Sequence, residues 1–247
     1  MSATSHAAVA LVMLALPVDA TATTLEDIQA ALDSASSLRT MRLATGAPTF
    51  GPDVHPRVAA GEVVTGLETV SGHKAKKAYA MGIVPTPIDA FWRAVNDDPR
   101  KVDYTKLGYA EVLSGGVCGT RRQVFQFLPV AMMTDRWWTF EVRSNQAIYD
   151  ASAGAVREQY WNSETFGEPL TPSAQSWADK GMSVVFTQGA WLLMSLRSGG
   201  TLVEYYSWAD PGGAVPAGLA SSFAAGSIKD TFEAMTELAK TGAACGG

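Results

Sequence analysis

The residue types in this sequence limit the chemistry that it can support. There are three histidines, and His6 lies in an N-terminal apolar segment, so neither an ordinary zinc site nor a histidine acid–base site is predicted. The sequence contains no G-x-S-x-G motif, no phosphate-binding glycine loop and no dinucleotide fingerprint. It therefore predicts no metal site, no cofactor and no catalytic residue.

Glu158 is the best candidate for a general acid or base if the protein is an enzyme. It alternates with Val156, Tyr160 and Asn162 on one face of a predicted strand, and that face could point inward. The alternative interpretation is a surface residue of the strand. The acidic pair at 97–98 stands beside a proline at a predicted helix end, where solvation or capping is the simpler role.

A second charged pair interrupts an apolar segment, "PVAMMTDRWWTFEVR" (129–143). Asp135-Arg136 stands between two methionines and two tryptophans, where a strand is predicted to begin. Side chains alternate along a strand, so Trp138, Phe140 and Val142 share one face. The segment raises the question of what these large apolar side chains contact.

The composition is that of a globular protein. Hydrophobic residues make up 47% of the chain, charged residues make up 17%, and the net charge is −5. Binding to nucleic acid requires a basic surface, so nucleic acid is not expected as a partner. The one basic run, at 73–77, is interpreted as a solvated strand edge.

An export signal is predicted over residues 1–22. Ala7–Val18 is an apolar run too short to cross a bilayer, and Ala20-Thr21-Ala22 supplies a cleavage motif. The residues before the run include no lysine or arginine, and a frayed apolar tail is the alternative interpretation. We expect the mature chain to begin near Thr23 and to be periplasmic or secreted.

The two cysteines give little information at this level. Cys118 lies in a glycine-rich turn, and Cys245 lies in a predicted flexible tail at 242–247. They could pair in an oxidising compartment, but nothing in the sequence places them together. Their pairing is left open.

Hydrophobic periodicity predicts the elements of the first part of the chain. Residues 23–61 comprise a helix capped by Thr24 and a connector at 46–61 with three prolines and three glycines. Strands are predicted near 62–68 and 73–84, followed by a helix that starts at Thr86-Pro87.

The rest of the chain is predicted to be mostly strand. Residues 105–209 carry aromatic and β-branched runs, and Pro216 begins a long helix that reaches about Lys240. Strands grouped in this way predict an α+β fold, with a curved antiparallel sheet wrapped around the C-terminal helix. Such a sheet leaves a space beside the helix, which is either filled by side chains or kept for a ligand.

The clearest hairpin turns at Gly199-Gly200. A two-residue turn there pairs Leu196 with Val203 and Met194 with Tyr205, so that Leu192 lies on the same face as these four. The other face, with Trp191 and Glu204, is expected to point outward.

Three ordered stretches resemble the steroidogenic-acute-regulatory-related lipid-transfer (START) family, within the helix-grip (SRPBCC) group that includes polyketide cyclases. They are "GIVPTPIDAFWRAVND" (82–97), "LPVAMMTDRWW" (128–138) and "VEYYSWADPGGAVPAGL" (203–219). The resemblance covers residues 62–241 and implies a hydrophobic cavity between the sheet and the C-terminal helix, closed by a loop. It also implies a role for Asp135 and Arg136. A structural role, in which they fix the start of the strand, is preferred to contact with a ligand, because buried charges need partners.

Under this resemblance, the cavity is lined by residues of the sheet and the last helix: Trp138, Phe140, Val142, Glu158, Tyr160, Leu192, Met194, Tyr205, Phe223, Ile228, Phe232 and Met235. The lid corresponds to 163–181, with Phe166 and Trp177 as apolar plugs. The expected function is non-catalytic binding and transfer of a lipid, such as a sterol or phospholipid, by a monomer that contacts membranes transiently. The alternatives are a cyclase- or dehydratase-like enzyme that uses Glu158, and an interaction module with a collapsed core.

Overall fold

The computed structural model describes residues 23–164, 167–213, 215, 217–242 and 245, with the side chains of 217 and 219–223 excepted. Its helices are α1 Leu25–Ser36, α2 Val54–Ala59, α3 Ile88–Asn96, α4 Gln146–Ala151, α5 Pro172–Ala178 and α6 Ala217–Thr241. Its strands are β1 Val64–Glu68, β2 Lys77–Val84, β3 Tyr109–Ser114, β4 Arg121–Leu128, β5 Asp135–Ser144, β6 Val156–Asn162, β7 Gly181–Ser183, β8 Phe186–Ser195 and β9 Thr201–Asp210. In the described part of the chain, no helix is both long and apolar enough to cross a membrane.

The strands form one curved, unclosed sheet in the order β1-β2-β9-β8-β6-β5-β4-β3. Neighbours along this path are antiparallel, and the short β7 pairs with the start of β5 in parallel. With α6 packed against it, this sheet confirms the predicted α+β helix-grip fold.

We call the sheet face that contacts α6 the inner face. On it, α6 packs against β1, β2 and β9 and against α3. Phe232 and Met235 of α6 are buried there with Phe91 of α3 and Val203 of β9. Burial of these apolar side chains fixes the long helix across one half of the sheet.

The opposite, outer face is covered by the N-terminal part of the chain. Ile28 of α1 and Val58 are fully buried against it, together with Leu192 and Met194 of β8. The Thr24 side chain accepts a hydrogen bond from the Asp27 N–H and caps α1, as its sequence predicts. Residues 46–61, predicted as a connector, contain α2 and belong to this packed layer.

Two helices, α4 and α5, lie inside the region that was predicted to be almost wholly strand. The side chain of Asn145 caps α4 by accepting a hydrogen bond from the Ile148 N–H. Thr171 caps α5 in the same way, and Pro172 occupies its first turn. These caps are sequence signals by which the two helices could have been found.

The two ends of the sheet differ in their connections. The loop end carries the turns at 69–76 and 129–134 and the start of the link, at Pro211, that leads from β9 to α6. The disulfide end carries the β3–β4 turn, where Cys118 is bonded to Cys245 beyond the end of α6. Cys245 is buried, so this residue of the predicted flexible tail is anchored.

Candidate functional site

An apolar cluster covers the inner face of the sheet beside the region that α6 contacts. Phe140 and Val142 of β5 are buried with Val124 of β4, and the partly exposed Trp138 packs with them. Trp161 contacts both this cluster and the core beneath α6. The predicted common face of Trp138, Phe140 and Val142 is therefore the inner face. We call Val124, Trp138, Phe140, Val142 and Trp161 the inner-face cluster.

Beneath α6 the helix and the strands are in direct contact. Ile228, Phe232 and Met235 are buried against β2 and β9, and the Phe232 ring centroid lies 6.4 Å from those of Phe91 and Trp191. The predicted lining residues of α6 thus form packed core here. The side chain of Phe223, which was also predicted to line the cavity, lies outside the described residues.

Tyr205 belongs to the same core. Its ring stacks on Trp191 with a centroid separation of 3.7 Å. Burial raises the pKa of the Tyr205 phenol above its usual value, since the protein interior disfavours the phenolate. Tyr205 is therefore a neutral, packed residue and is not poised to act as a base at neutral pH.

The predicted register of the β8–β9 hairpin is wrong by three residues. Val203 pairs with Leu193 rather than with Leu196, and the turn is closed by a hydrogen bond of 3.0 Å from the Leu196 N–H to the Gly200 carbonyl. A shift by an odd number of residues exchanges the faces of a strand. Trp191 consequently faces inward.

As a result, two predicted cavity residues lie on the wrong face of the sheet. Leu192 and Met194 point to the outer face, where they pack with Ile28 of α1. They are core residues beneath the N-terminal helix, so the prediction that they line the cavity is wrong.

Glu158 and Tyr160 of β6 also face outward, so neither lines the inner face. Glu158 is fully buried and accepts hydrogen bonds from Arg42 Nε at 2.8 Å and from the Leu43 N–H at 2.7 Å. Tyr160 packs against Ala44 and Tyr206. Both interpretations of Glu158, as an inward acid or base and as a surface residue, are therefore wrong, because the N-terminal segment covers this face.

The predicted lid has a different position from the one expected. Trp177 of α5 packs on the outer face, 5.3 Å from the Tyr109 ring centroid and 5.0 Å from that of Phe127. Side chains alternate between the two faces along β4, and Phe127 is one of those that point outward. Trp177 packs on Phe127, so its assignment as a plug over the inner face is wrong. Phe166, the other predicted plug, lies outside the described residues.

Asp135 and Arg136 make the structural contacts that were expected of them. Asp135 Oδ1 accepts a hydrogen bond of 2.9 Å from the Val130 N–H. Arg136 Nε donates to the Pro211 carbonyl at 2.7 Å. The two side chains thus fix the start of β5 to the turn before it and to the link that leads to α6.

A buried polar cluster that sequence analysis missed lies between β4 and the end of α3. Arg122 Nε donates to Asp98 Oδ2, and Lys101 Nζ lies 2.7 Å from Asp98 Oδ1. Burial alone would raise the pKa of Asp98, but the charges of Lys101 and Arg122 outweigh it, and the pKa is lowered. Asp98 is fully buried, so its predicted solvation or capping role is wrong.

These contacts define what the inner face can do chemically. Asp98 and Arg122 are held in ion pairs, and Glu158, the predicted acid or base, lies on the other side of the sheet. Among the described residues, no group of three or more His, Cys, Asp or Glu side chains is arranged to hold a metal ion. In the inner-face cluster Val124, Phe140 and Val142 are buried, and the partly exposed Trp138 is where apolar area is open to contact.

The chain has the α+β helix-grip fold, and solved structures of START-related lipid transfer proteins share this fold at low sequence identity. The chain is similar to a STAR-related lipid transfer protein from Xanthomonas axonopodis, with a TM-score of 0.58, 14% identity, and coverage of 73% of this chain and 98% of that one. It is also similar to human StAR-related lipid transfer protein 5, with a TM-score of 0.56, 14% identity, and coverage of 87% and 97%. For human STARD10 the TM-score is 0.55 at 12% identity, with coverage of 83% and 79%. No family model and no curated protein sequence matches the chain.

Proposed function

We propose that this protein binds a hydrophobic ligand, a lipid, on the inner face of its sheet and transfers it without chemical change. The observation that carries the proposal is the inner-face cluster beside α6, in which Trp138 stays partly exposed. The similar solved structures are named as lipid transfer proteins, which supports the same use of this fold.

The energetics of apolar burial are sufficient for such binding. Removal of about 400 Å² of apolar ligand surface from water contributes roughly 10 kcal/mol. Association costs of several kcal/mol are subtracted from this figure, and the remainder is enough for a stable complex. No reactive side chain is needed.

Replacement of Trp138 by alanine is expected to lower lipid transfer between vesicles about tenfold, which corresponds to a loss of about 1.4 kcal/mol of binding free energy. The reason is that Trp138 supplies exposed apolar area to the ligand. Transfer of a fluorescent lipid, together with native mass spectrometry of the protein after mild extraction, measures the effect.

The matched control is Trp177→Ala, which removes the same kind of side chain from the outer face. This variant should transfer lipid at the rate of the wild type once its stability is taken into account. Equal losses in the two variants, or a wild-type protein that carries no lipid, would contradict the proposed function.

We also propose that the loop end makes transient contact with membranes. Three large apolar side chains are exposed there: Met132 in the β4–β5 turn, Met182 in β7 and Val185 just before β8. Met132 is the most exposed large apolar side chain in the described part of the chain, and exposed apolar residues of this kind are typical of an interaction site. The loop end also leads to the start of α6. We propose that the ligand leaves the inner face there, beside the start of the helix.

Export is the third part of the proposal, and the Cys118–Cys245 disulfide supports it, since disulfides persist mainly in oxidising compartments. We expect the protein isolated from the periplasm or the medium to begin near Thr23 and to contain no free thiol. N-terminal sequencing and thiol labelling of the unfolded protein would measure this. A chain with Met1 intact and two reactive thiols in the cytoplasm would refute the expectation.

A further inference from the structure

Gln126 of β4 is a polar residue on the inner face of the sheet, next to Trp138. The two residues are paired across β4 and β5, and opposite residues of an antiparallel pair point to the same face. Gln126 is 8% exposed. A polar side chain that is covered to this extent normally has its hydrogen-bonding groups paired.

The orientation of the Gln126 amide is fixed by Trp138. The Trp138 Nε1–H donates to Gln126 Oε1 at 3.0 Å. An indole N–H can only donate, so the atom that faces it has to be the amide oxygen. The Nε2 group, with its two donor hydrogens, is therefore directed away from the indole nitrogen.

Within the described residues, the Nε2 group of Gln126 has no hydrogen-bond partner. Side-chain atoms that are fully enclosed and unpartnered occur there in Thr86 and Arg122, but not in Gln126. The Nε2 group therefore borders open space rather than packed atoms. Ala110 of β3 pairs with Gln126 on the side opposite Trp138, and its small side chain leaves room beside the amide.

Arg136 brings a positive charge to the same face, two positions before Trp138. Its guanidinium donates to the carbonyls of Pro211 and Thr134 and is thereby held at the start of β5. The amide of Gln126 is uncharged, and burial of an anion costs much more than burial of a hydroxyl or a carbonyl. An uncharged oxygen acceptor is the partner that suits this amide.

We propose that Gln126 determines which lipid the protein selects: its Nε2 group donates a hydrogen bond to an uncharged oxygen of the ligand, a hydroxyl or a carbonyl. The exposed part of Trp138 contacts the carbons next to that oxygen, because it lies beside the amide. The inference rests on the proposed function and names the class of lipid. A hydrocarbon leaves both donors of the Nε2 group unpaired, whereas a lipid alcohol or ketone pairs one of them.

The test measures how tightly the mature protein binds three chains of equal length: hexadecane, 1-hexadecanol and 2-hexadecanone. Displacement of bound N-phenyl-1-naphthylamine, a neutral fluorophore, gives their dissociation constants. Gln126→Met keeps the length of the side chain and a weak acceptor for the Trp138 N–H, but it removes the two donors. This variant should bind the alcohol and the ketone about tenfold more weakly, and hexadecane as tightly as the wild type does.

The matched control is Gln123→Met, the same change on the outer face of β4. Gln123 Oε1 accepts hydrogen bonds there from the Gly167 and Glu168 N–H groups, and its replacement should alter none of the three affinities. Circular dichroism shows whether each variant is folded. Gln126→Leu also removes the donors, and it should give the same pattern if Gln126→Met does not fold.

The outcomes separate the two proposals. If the wild type binds none of the three chains, the proposed function fails. If it binds them and Gln126→Met weakens all of them equally, or none, the role of Gln126 is refuted and the proposed function stands. A loss confined to the alcohol or to the ketone agrees with the proposal and identifies the acceptor.

Hexadecanoate provides the charged comparison. The wild type should bind it no more tightly than the alcohol. If it binds hexadecanoate more tightly and Gln126→Met removes the difference, the acceptor is an anion and the uncharged class of ligand is overturned.

Discussion

Replacement of Phe232 by alanine is expected to lower the free energy of unfolding by about 3–5 kcal/mol, the range for aromatic truncation in a packed core. Phe232 is 1% exposed, and its ring contacts the core between α6, α3 and the sheet. The space left behind cannot close easily, since α3 and the strands surround it. Urea denaturation monitored by circular dichroism gives the change in stability.

Glu233→Ala is the control, because it alters the neighbouring position of α6, where the side chain is exposed. That variant should change the stability by less than about 0.5 kcal/mol. A small loss for Phe232→Ala, accompanied by a loss of bound lipid, would place Phe232 at a ligand surface and contradict the packed core. A large loss with unchanged lipid content agrees with the structure.

Glu158→Gln is expected to destabilise the protein by about 3–5 kcal/mol, because it leaves a buried guanidinium without its partner. Glu158 is fully buried, and Arg42 is 8% exposed. Glu204 lies 3.6 Å from Arg42 Nη1 and compensates only in part. Chemical denaturation of the variant measures the loss.

The double variant Glu158→Gln with Arg42→Met provides the control. Replacement of both members of a buried ion pair is often close to neutral, so most of the lost stability should return. An acid or base that works on a ligand would give a different result. In that case Glu158→Gln would fold with wild-type stability, and the outer-face assignment would be wrong.

The local elements of this fold could be predicted from the sequence. Thr24 caps α1 as predicted, the helix after Thr86-Pro87 is α3, and the last long helix is α6. The alternation of Trp138, Phe140 and Val142 gave their common face. These features depend on caps and on periods of 3.6 or two residues, which a short stretch of chain carries by itself.

The faces of β8 were decided by the tertiary structure. The predicted turn had Gly199-Gly200 as its two central residues. The observed turn is closed by a hydrogen bond between Leu196 and Gly200, and this difference moves the strand pairing by three residues. Leu192 and Met194 therefore lie under α1, and Trp191 lies under α6. The glycines mark the position of the turn but not its length, and the length sets the register.

The partners of the buried polar residues were also decided by the tertiary structure. Arg42 and Glu158 are 116 residues apart, and Cys118 and Cys245 are 127 apart. A local pattern shows that Glu158 lies on one face of a strand, but it does not show which distant segment covers that face. The N-terminal segment covers it, and the covering segment determines whether a carboxylate is buried with a partner or exposed to a ligand.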